Sequence, residues 1–328
     1  VSCFTTVIYK VMGATRVVRK SYCNIIKCIL LVSSFTYLWS FFKQYFPPPP
    51  TFWHAIPRDS VIPLRQKLSI DSQITFLKNC SLMVAVCTRN VGTNLPVFRK
   101  NIENITFLFG KYHIWVGESD SSDKTLLYLH AWAKVNNQVT IKTYGNLSRT
   151  TPRRSDRIAH CRNDLLDEVR RTGVFRKSKN GFYMVVDADM NSRLNQLSFL
   201  SNFDYALHEW GAMTANQHSG YYDIWALRNH IVFYDCWRVV RNILIMLFTL
   251  NRAVELFVGV HQKTIPSNHS LIPVNSAFGG AAIYQTKYLN GCRYSGYESH
   301  SICEHVPFNL CVTRNGGKMF INPRFQID

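Results

Sequence analysis

The chain has 328 residues, of which 47% are hydrophobic and 13% aromatic, enough to bury a sizeable core and to exclude a disordered chain. Lys and Arg number 38 against 20 Asp and Glu, a net charge of +18, so nucleic acid, anionic lipid and phosphorylated small molecules all qualify as partners by charge. None of the ten cysteines falls in a CxxC pair, which removes the usual zinc-ribbon and dithiol redox signatures.

In chain order, residues 1–24 are basic and free of acids, and residues 25–46 form an apolar run interrupted only by Lys27 and Lys43. A run of that length is expected to cross a bilayer as a single-pass anchor, with the basic tail (1–24) kept cytoplasmic. A cleaved signal peptide is the rival reading, and Pro47 to Pro50 stand where its small-residue cleavage site belongs. The prolines open an expected stem over 47–78, and the remainder, 79–328, is expected to be a lumenal body in the ER or Golgi. Asn79, Asn104, Asn146 and Asn268 each begin an N-glycosylation tripeptide within that body, although such tripeptides also arise by chance. Seven cysteines follow the anchor, an odd number that leaves at least one unpaired, and two of Cys292, Cys303 and Cys311 are close enough in sequence for a local disulfide.

From residue 82 strands and helices alternate. The runs 82–87, 112–117, 139–143 and 182–186 read as strands, and 95–109, 124–135 and 156–171 as helices between them, so an α/β fold with a mainly parallel sheet flanked by helices is expected. The apolar stretch 241–260 carries Arg252 and Glu255 in its middle and reads as a core helix, not a second membrane span.

Polar clusters stand at the carboxyl ends of the expected strands, where such sheets collect ligands: Arg89 and Asn90, then Glu118, Asp120 and Asp123, then Asp187 and Asp189. Two carboxylates one residue apart at a strand end suit Mn²⁺ or Mg²⁺ with positions left open for diphosphate oxygens, although the bare tripeptide recurs by chance in loops. Arg157 and Arg162 lie on the helix that follows the third strand and suit a diphosphate clamp, whereas Arg153 and Arg154 read as surface. His305 is expected to complete the metal shell, and Glu304 or Glu298 to face an acceptor hydroxyl. Residues 218–228 mix aromatic and polar groups in the manner of a sugar subsite, with Asp223 as a further acid–base candidate, though an aromatic core with a loop reads nearly as well. Small residues in the run 274–284 permit close approach of a ligand or another backbone.

Together the blocks ESDSSDKT, RIAHCRN, VVDADM, YYDIWALR, NSAFGGAAIY and CEHVPFN, in that order, resemble glycosyltransferases of the GT-A fold, a Rossmann-like architecture, and among them the fungal (cryptococcal) α-1,3-mannosyltransferases. That resemblance implies a nucleotide-sugar donor, with mannose from GDP-mannose favoured, and a glycan acceptor. It further implies metal and diphosphate at Asp187 and Asp189 with the nucleotide near Arg89, Glu118 and Arg157, and it speaks against nucleic acid as a partner. A nucleotidyltransferase would use a similar sheet and metal, and a basic nucleic-acid-binding protein is the non-enzymatic alternative. The latter would interleave basic and aromatic residues on one element, whereas here the positive charge is scattered.

Overall fold

The computed structural model describes residues 27–34, 36–37, 51–54, 69–173, 180–189, 194–249 and 251–327. The chain divides into two units, Val1–Pro49 and Pro50–Asp328. In the first unit the described residues are helical. Among the described residues no helix is long and apolar enough to cross a membrane, and most of the expected span, 25–46, lies outside them.

The second unit is built on an eight-stranded sheet. Its strands are β1 (Ser81–Thr88), β2 (Lys111–Glu118), β3 (Val139–Thr143), β4 (Gly181–Val186), β5 (Ala212–Asn216), β6 (Ile272–Val274), β7 (Ala281–Gln285) and β8 (Met319–Gln326), and their spatial order is β3-β2-β1-β4-β7-β5-β8-β6. The first four strands pair in parallel, as expected, while β7 runs antiparallel to both β4 and β5, and β6 antiparallel to β8. Continuous apolar runs such as Leu82 to Val86 form strands because both faces are covered. Side chains alternate: Leu82, Val84 and Val86 enter one hydrophobic layer, Met83 and Ala85 the other.

The first layer is closed by α1 (Ile70–Leu77), α2 (Leu95–Thr106) and α3 (Thr125–Val135), which contribute Leu77, Phe98, Ile102, Leu129 and Trp132. Pro96 begins α2, where its missing N–H costs no helical bond. The opposite layer is closed by α4 (Arg154–Arg171), whose Ala159, Leu165, Leu166 and Val169 meet the sheet. Asp156 in its first turn and Arg170 and Arg171 in its last complement the helix dipole, and Gly173 at φ +77° ends it.

Parts of the expected stem belong to the body. Phe52 and Trp53 are buried in the α4-side core, and Gln73 on α1 donates to Asp204 at 2.7 Å. The segment 241–260 is also different from the single core helix expected. Following α5 (Cys236–Val240), it breaks into α6 (Ile243–Phe248) and a wide turn at Glu255–Gly259. The physical reason is local: the Asn242 side chain accepts from the Leu244 and Ile245 N–H groups and starts α6 anew, while Asn251, at φ +63°, turns the chain away. No residue of α6 is buried, and Ile243, Leu247 and Phe248 are more than half exposed. The last helix, α7 (His305–Arg314), packs Val306, Phe308 and Val312 into the α4-side core ahead of β8.

Two disulfides form. Cys292–Cys311 ties the loop before α7 to that helix, and Cys87–Cys161 bolts the end of β1 to α4. Cys80, Cys236 and Cys303 are free of disulfides and buried, which accounts for the odd number after residue 46. Gly117 on β2 makes the second bridge possible, because a Cβ there would stand 2.5 Å from the Cys161 sulfur.

Candidate active site

The carboxyl ends of β1, β2 and β4 open on a cleft of about 490 Å³. Arg89 and Ser119 come from the first two strand ends, Asp187 and Asp189 from the third, and Arg154, Arg157 and Arg162 from α4. Asp223, Phe278, Glu304 and His305 close the far side.

Arg162 organises the floor. It projects from the sheet-facing side of α4 with 5% of its side chain exposed, and its Nη2 donates to Asp187 Oδ1 at 3.1 Å. Its Nη1 meets both Glu304 Oε1 and His305 Nε2. The guanidinium lies 4.9 Å from the Phe278 ring centroid, and the His305 ring stacks on the same phenylalanine at 3.8 Å. A charge this deep is tolerable because two carboxylates and an aromatic face surround it.

The electrostatics follow from that placement. Burial pushes the Asp187 carboxyl up to about 7; Arg162 opposes the shift, and the nearby Asp189, Glu304 and Asp223 reinforce it. With 31% of its side chain open to the cleft, Asp187 remains accessible to a ligand. Asp223 is also raised by burial, against the pull of the Gly279 and Ala226 backbone N–H groups that its two oxygens accept at 3.1 and 3.3 Å. Gly279 reaches Asp223 because it sits at φ +67°, where a Cβ would strike the Ala215 carbonyl oxygen at 2.4 Å. His305 is held well below the usual imidazole range by burial and by Arg162, so the ring is neutral.

Of the residues singled out from sequence, Arg89, Arg157, Arg162, Asp187, Asp189, Asp223, Glu304 and His305 converge on the cleft. The rest are engaged elsewhere. Asn90, at φ +52°, accepts from the Ser122 N–H through Oδ1, Glu118 from Ser121 N, and Asp120, at φ +58°, from Ser148 N. These groups shape the loops beneath the cleft because short polar side chains satisfy turn backbone that has no ladder partner. Glu298 is exposed and does not line the cleft; its N–H pairs with the His300 carbonyl in a surface turn. The expected orientation of His305 also differs: Nε2 faces Arg162 instead of an open metal position, and Nδ1 is buried without a partner among the described residues.

Arg154, read as surface from the sequence, is exposed and also borders the cleft from the first turn of α4, while sequence reasoning missed Trp237 and Gln262, which line the cleft. The bridge between Cys87 and Cys161 had no signal, since 74 residues separate the two.

No protein-family model matches the chain, and no curated protein sequence matches it. Solved structures do. TarS of S. aureus (residues 1–349) is 14% identical, with a TM-score of 0.41, over 74% of this chain and 57% of that one. The mannosyltransferase PcManGT of Pyrobaculum calidifontis, solved with GDP-Man and Mn²⁺, is 16% identical, with a TM-score of 0.40, over 75% and 55%. Glucosyl-3-phosphoglycerate synthase of Mycobacterium tuberculosis, in complex with Mn²⁺, UDP-glucose and phosphoglyceric acid, is 9% identical, with a TM-score of 0.40, over 80% and 73%. The matched part is a little over half the length of the first two of these chains.

Proposed function

We propose that the protein is a metal-dependent glycosyltransferase of the GT-A type that moves a sugar, with mannose from GDP-mannose the favoured donor, from a nucleotide-sugar to a hydroxyl of a glycan acceptor. One observation carries the reading: Asp187 and Asp189 close a buried strand at the edge of a cleft whose opposite wall is a helix bearing Arg154, Arg157 and Arg162. The cleft volume, about 490 Å³, is that of a small-molecule site.

The donor set fits Mn²⁺ or Mg²⁺. Both carboxylates offer hard oxygens; Asp189 is exposed, and Asp187 keeps an oxygen besides the one bonded to Arg162. Such ions take one or two protein carboxylates and complete their shell with phosphate and water. When bound, the ion supplies positive charge against the departing diphosphate. The remaining work falls to the chain. Arg89, Arg154 and Arg157 face the diphosphate, with Arg157 held in place by Nη1, which donates to the Thr151 and Pro152 carbonyls, and its remaining N–H groups turned to phosphate oxygens. Arg162 holds Asp187 and Glu304 in position, and in this reading His305 serves as a neutral support for Arg162 in place of a metal ligand. Asp223 accepts the proton of the acceptor hydroxyl, its raised affinity for a proton suiting it to that step.

A type II placement, with residues 1–24 cytoplasmic, 25–46 as anchor, 47–78 as stem and the body in the ER or Golgi lumen, belongs to the same proposal. Its supports are two disulfides and the exposure of all four sequon asparagines.

The test is Asp189→Asn in the full chain, assayed for Mn²⁺-dependent hydrolysis across a panel of nucleotide sugars headed by GDP-mannose. Turnover is expected to fall about 100-fold or more with the thermal midpoint unchanged. A variant that hydrolyses donor as fast as the parent rejects the assignment.

A further inference from the structure

Beside the cleft lies a second cavity, of about 410 Å³, that the reading above does not use. Trp225 and Trp237 line both spaces, so the second cavity lies across these indoles from the carboxylates. Arg238, Arg241 and His300 border it on the outer side.

We propose that this cavity is an acceptor subsite for a sugar bearing an anionic group, a phosphate or a carboxylate, with the ring laid against the indole wall and the anion held by Arg238 and Arg241. The proposal rests on the glycosyl-transfer reading of the first cleft, and it specifies the class of acceptor.

Charge accounting carries it. Asp235 is the acid that borders the cavity, and its carboxylate is already engaged: Oδ1 accepts from Arg238 N at 2.9 Å, Oδ2 accepts from Trp225 Nε1 at 2.9 Å and pairs with Arg228 Nη2 at 3.4 Å. Arg228 therefore balances Asp235. Arg238 and Arg241 are left, three residues apart and both exposed, with no hydrogen bond or ion pair to either side chain among the described residues. Like charges at that helical spacing repel, and an anion between two guanidinium forks turns the repulsion into attraction. The bonds of Asp235 also fix Trp225 and the start of α5, so wall and cations are held before a ligand arrives. A pyranose ring has an apolar face that buries well on an indole.

The position suits an acceptor and not a donor, because the donor's own charges are matched across the indoles by Arg89, Arg154 and Arg157. Asp223 lines the first space, which shares Trp225 and Trp237 with this one.

The experiment titrates the full chain with mannose 6-phosphate, glucuronic acid and mannose, following tryptophan fluorescence and calorimetry at low salt. At least one anionic sugar is expected to bind about tenfold tighter than mannose, with the advantage shrinking as salt is added. A larger gain for the phosphate identifies a phosphorylated acceptor, and a larger gain for the carboxylate a uronic-acid-bearing one. The Arg238→Gln/Arg241→Gln variant should erase the difference, whereas Arg238→Lys/Arg241→Lys should keep part of it. Equal binding of all three sugars overturns the proposal. So does anionic binding that survives the glutamine variant and is lost in Arg157→Gln, which places the anion in the first cleft. Binding of a nucleoside diphosphate with Mn²⁺, measured alongside, should be unchanged in the glutamine variant. If it is absent from the parent chain as well, the donor reading falls, while the anion preference is judged on its own titration.

Discussion

Arg162 shows how one side chain sets the character of a site. It is the cation among several buried or half-buried acids: it partly draws Asp187 back toward its ionised form, pairs with Glu304, and adds to the burial that holds His305 below the usual imidazole range. A second buried histidine makes a prediction away from the cleft. His261 is fully buried against Phe52 and near the Tyr234 hydroxyl, and burial pushes its ring down to about 4 from the usual 6.5. The unfolded chain then binds a proton that the folded chain refuses between those two values. Stability from this group is fully present above about pH 6.5 and is lost as pH falls toward about 4. Thermal midpoints measured from pH 4 to 7 should therefore fall on the acid side, and His261→Gln should flatten that fall. An unchanged slope in the variant would assign the acid sensitivity to other groups.

At the scale of elements, α4 and α6 are opposites. Both are rich in leucine or isoleucine, but α4 buries Leu165 and Leu166 completely against the sheet, while α6 buries nothing. Leu165→Ala is expected to cost about 2–5 kcal/mol in denaturant unfolding, since it removes apolar contacts and leaves a cavity. Leu247→Ala should stay within about 0.5 kcal/mol of the parent. If the two costs were similar, α6 would have to be covered. The join between β1 and α4 gives a second test. The Cys87–Cys161 bridge spans 74 residues, and a loop of that size restricts the unfolded chain by about 4 kcal/mol. Cys87→Ala/Cys161→Ala should lose stability of that order, and reduction of the parent, which also opens Cys292–Cys311, should cost at least as much. A reduced parent that melts at its oxidised temperature would show that packing around Gly117 alone holds the join.

Over the whole molecule, the order β3-β2-β1-β4 brings three carboxyl ends side by side, and the antiparallel β7 beside β4 supplies the Gly280 carbonyl that receives the Asp187 N–H at 2.8 Å. The Asp187–Asp189 loop is thus anchored by a strand that enters from the opposite direction. The body's outer surface carries the prediction about compartment. Asn79, Asn104, Asn146 and Asn268 are all exposed. Protein made in eukaryotic cells should shift in mobility on glycosidase treatment and resist protease added outside sealed microsomes. Digestion of an unglycosylated body in that assay would place it on the cytoplasmic face.

Local pattern was enough to read the strands from β1 to β4, the helices between them, and the strand-end position of Asp187 and Asp189, because a continuous apolar run bounded by polar residues has few ways to be buried. The same logic explains what it could not reach. Glu118, Asp120 and Asn90 have the composition of ligand-binding groups, and only the closeness of the 118–123 loop to residues 90 and 145–148 decides that the Asn90 and Asp120 oxygens go to backbone N–H groups, while Glu118 caps Ser121 in its own loop. Cys87 and Cys161, and Arg162 and Glu304, are contacts between segments far apart in the chain. Apolarity without a partner was equally ambiguous: residues 243–248 have the hydropathy of a core, yet Asn242 and Asn251 break the segment into a short helix that buries no residue and touches the core only through half-buried Ile245. Periodicity and capping act over a few residues and are written in the sequence, whereas which carboxylate meets which guanidinium depends on the packing of whole layers and exists only once the sheet has formed.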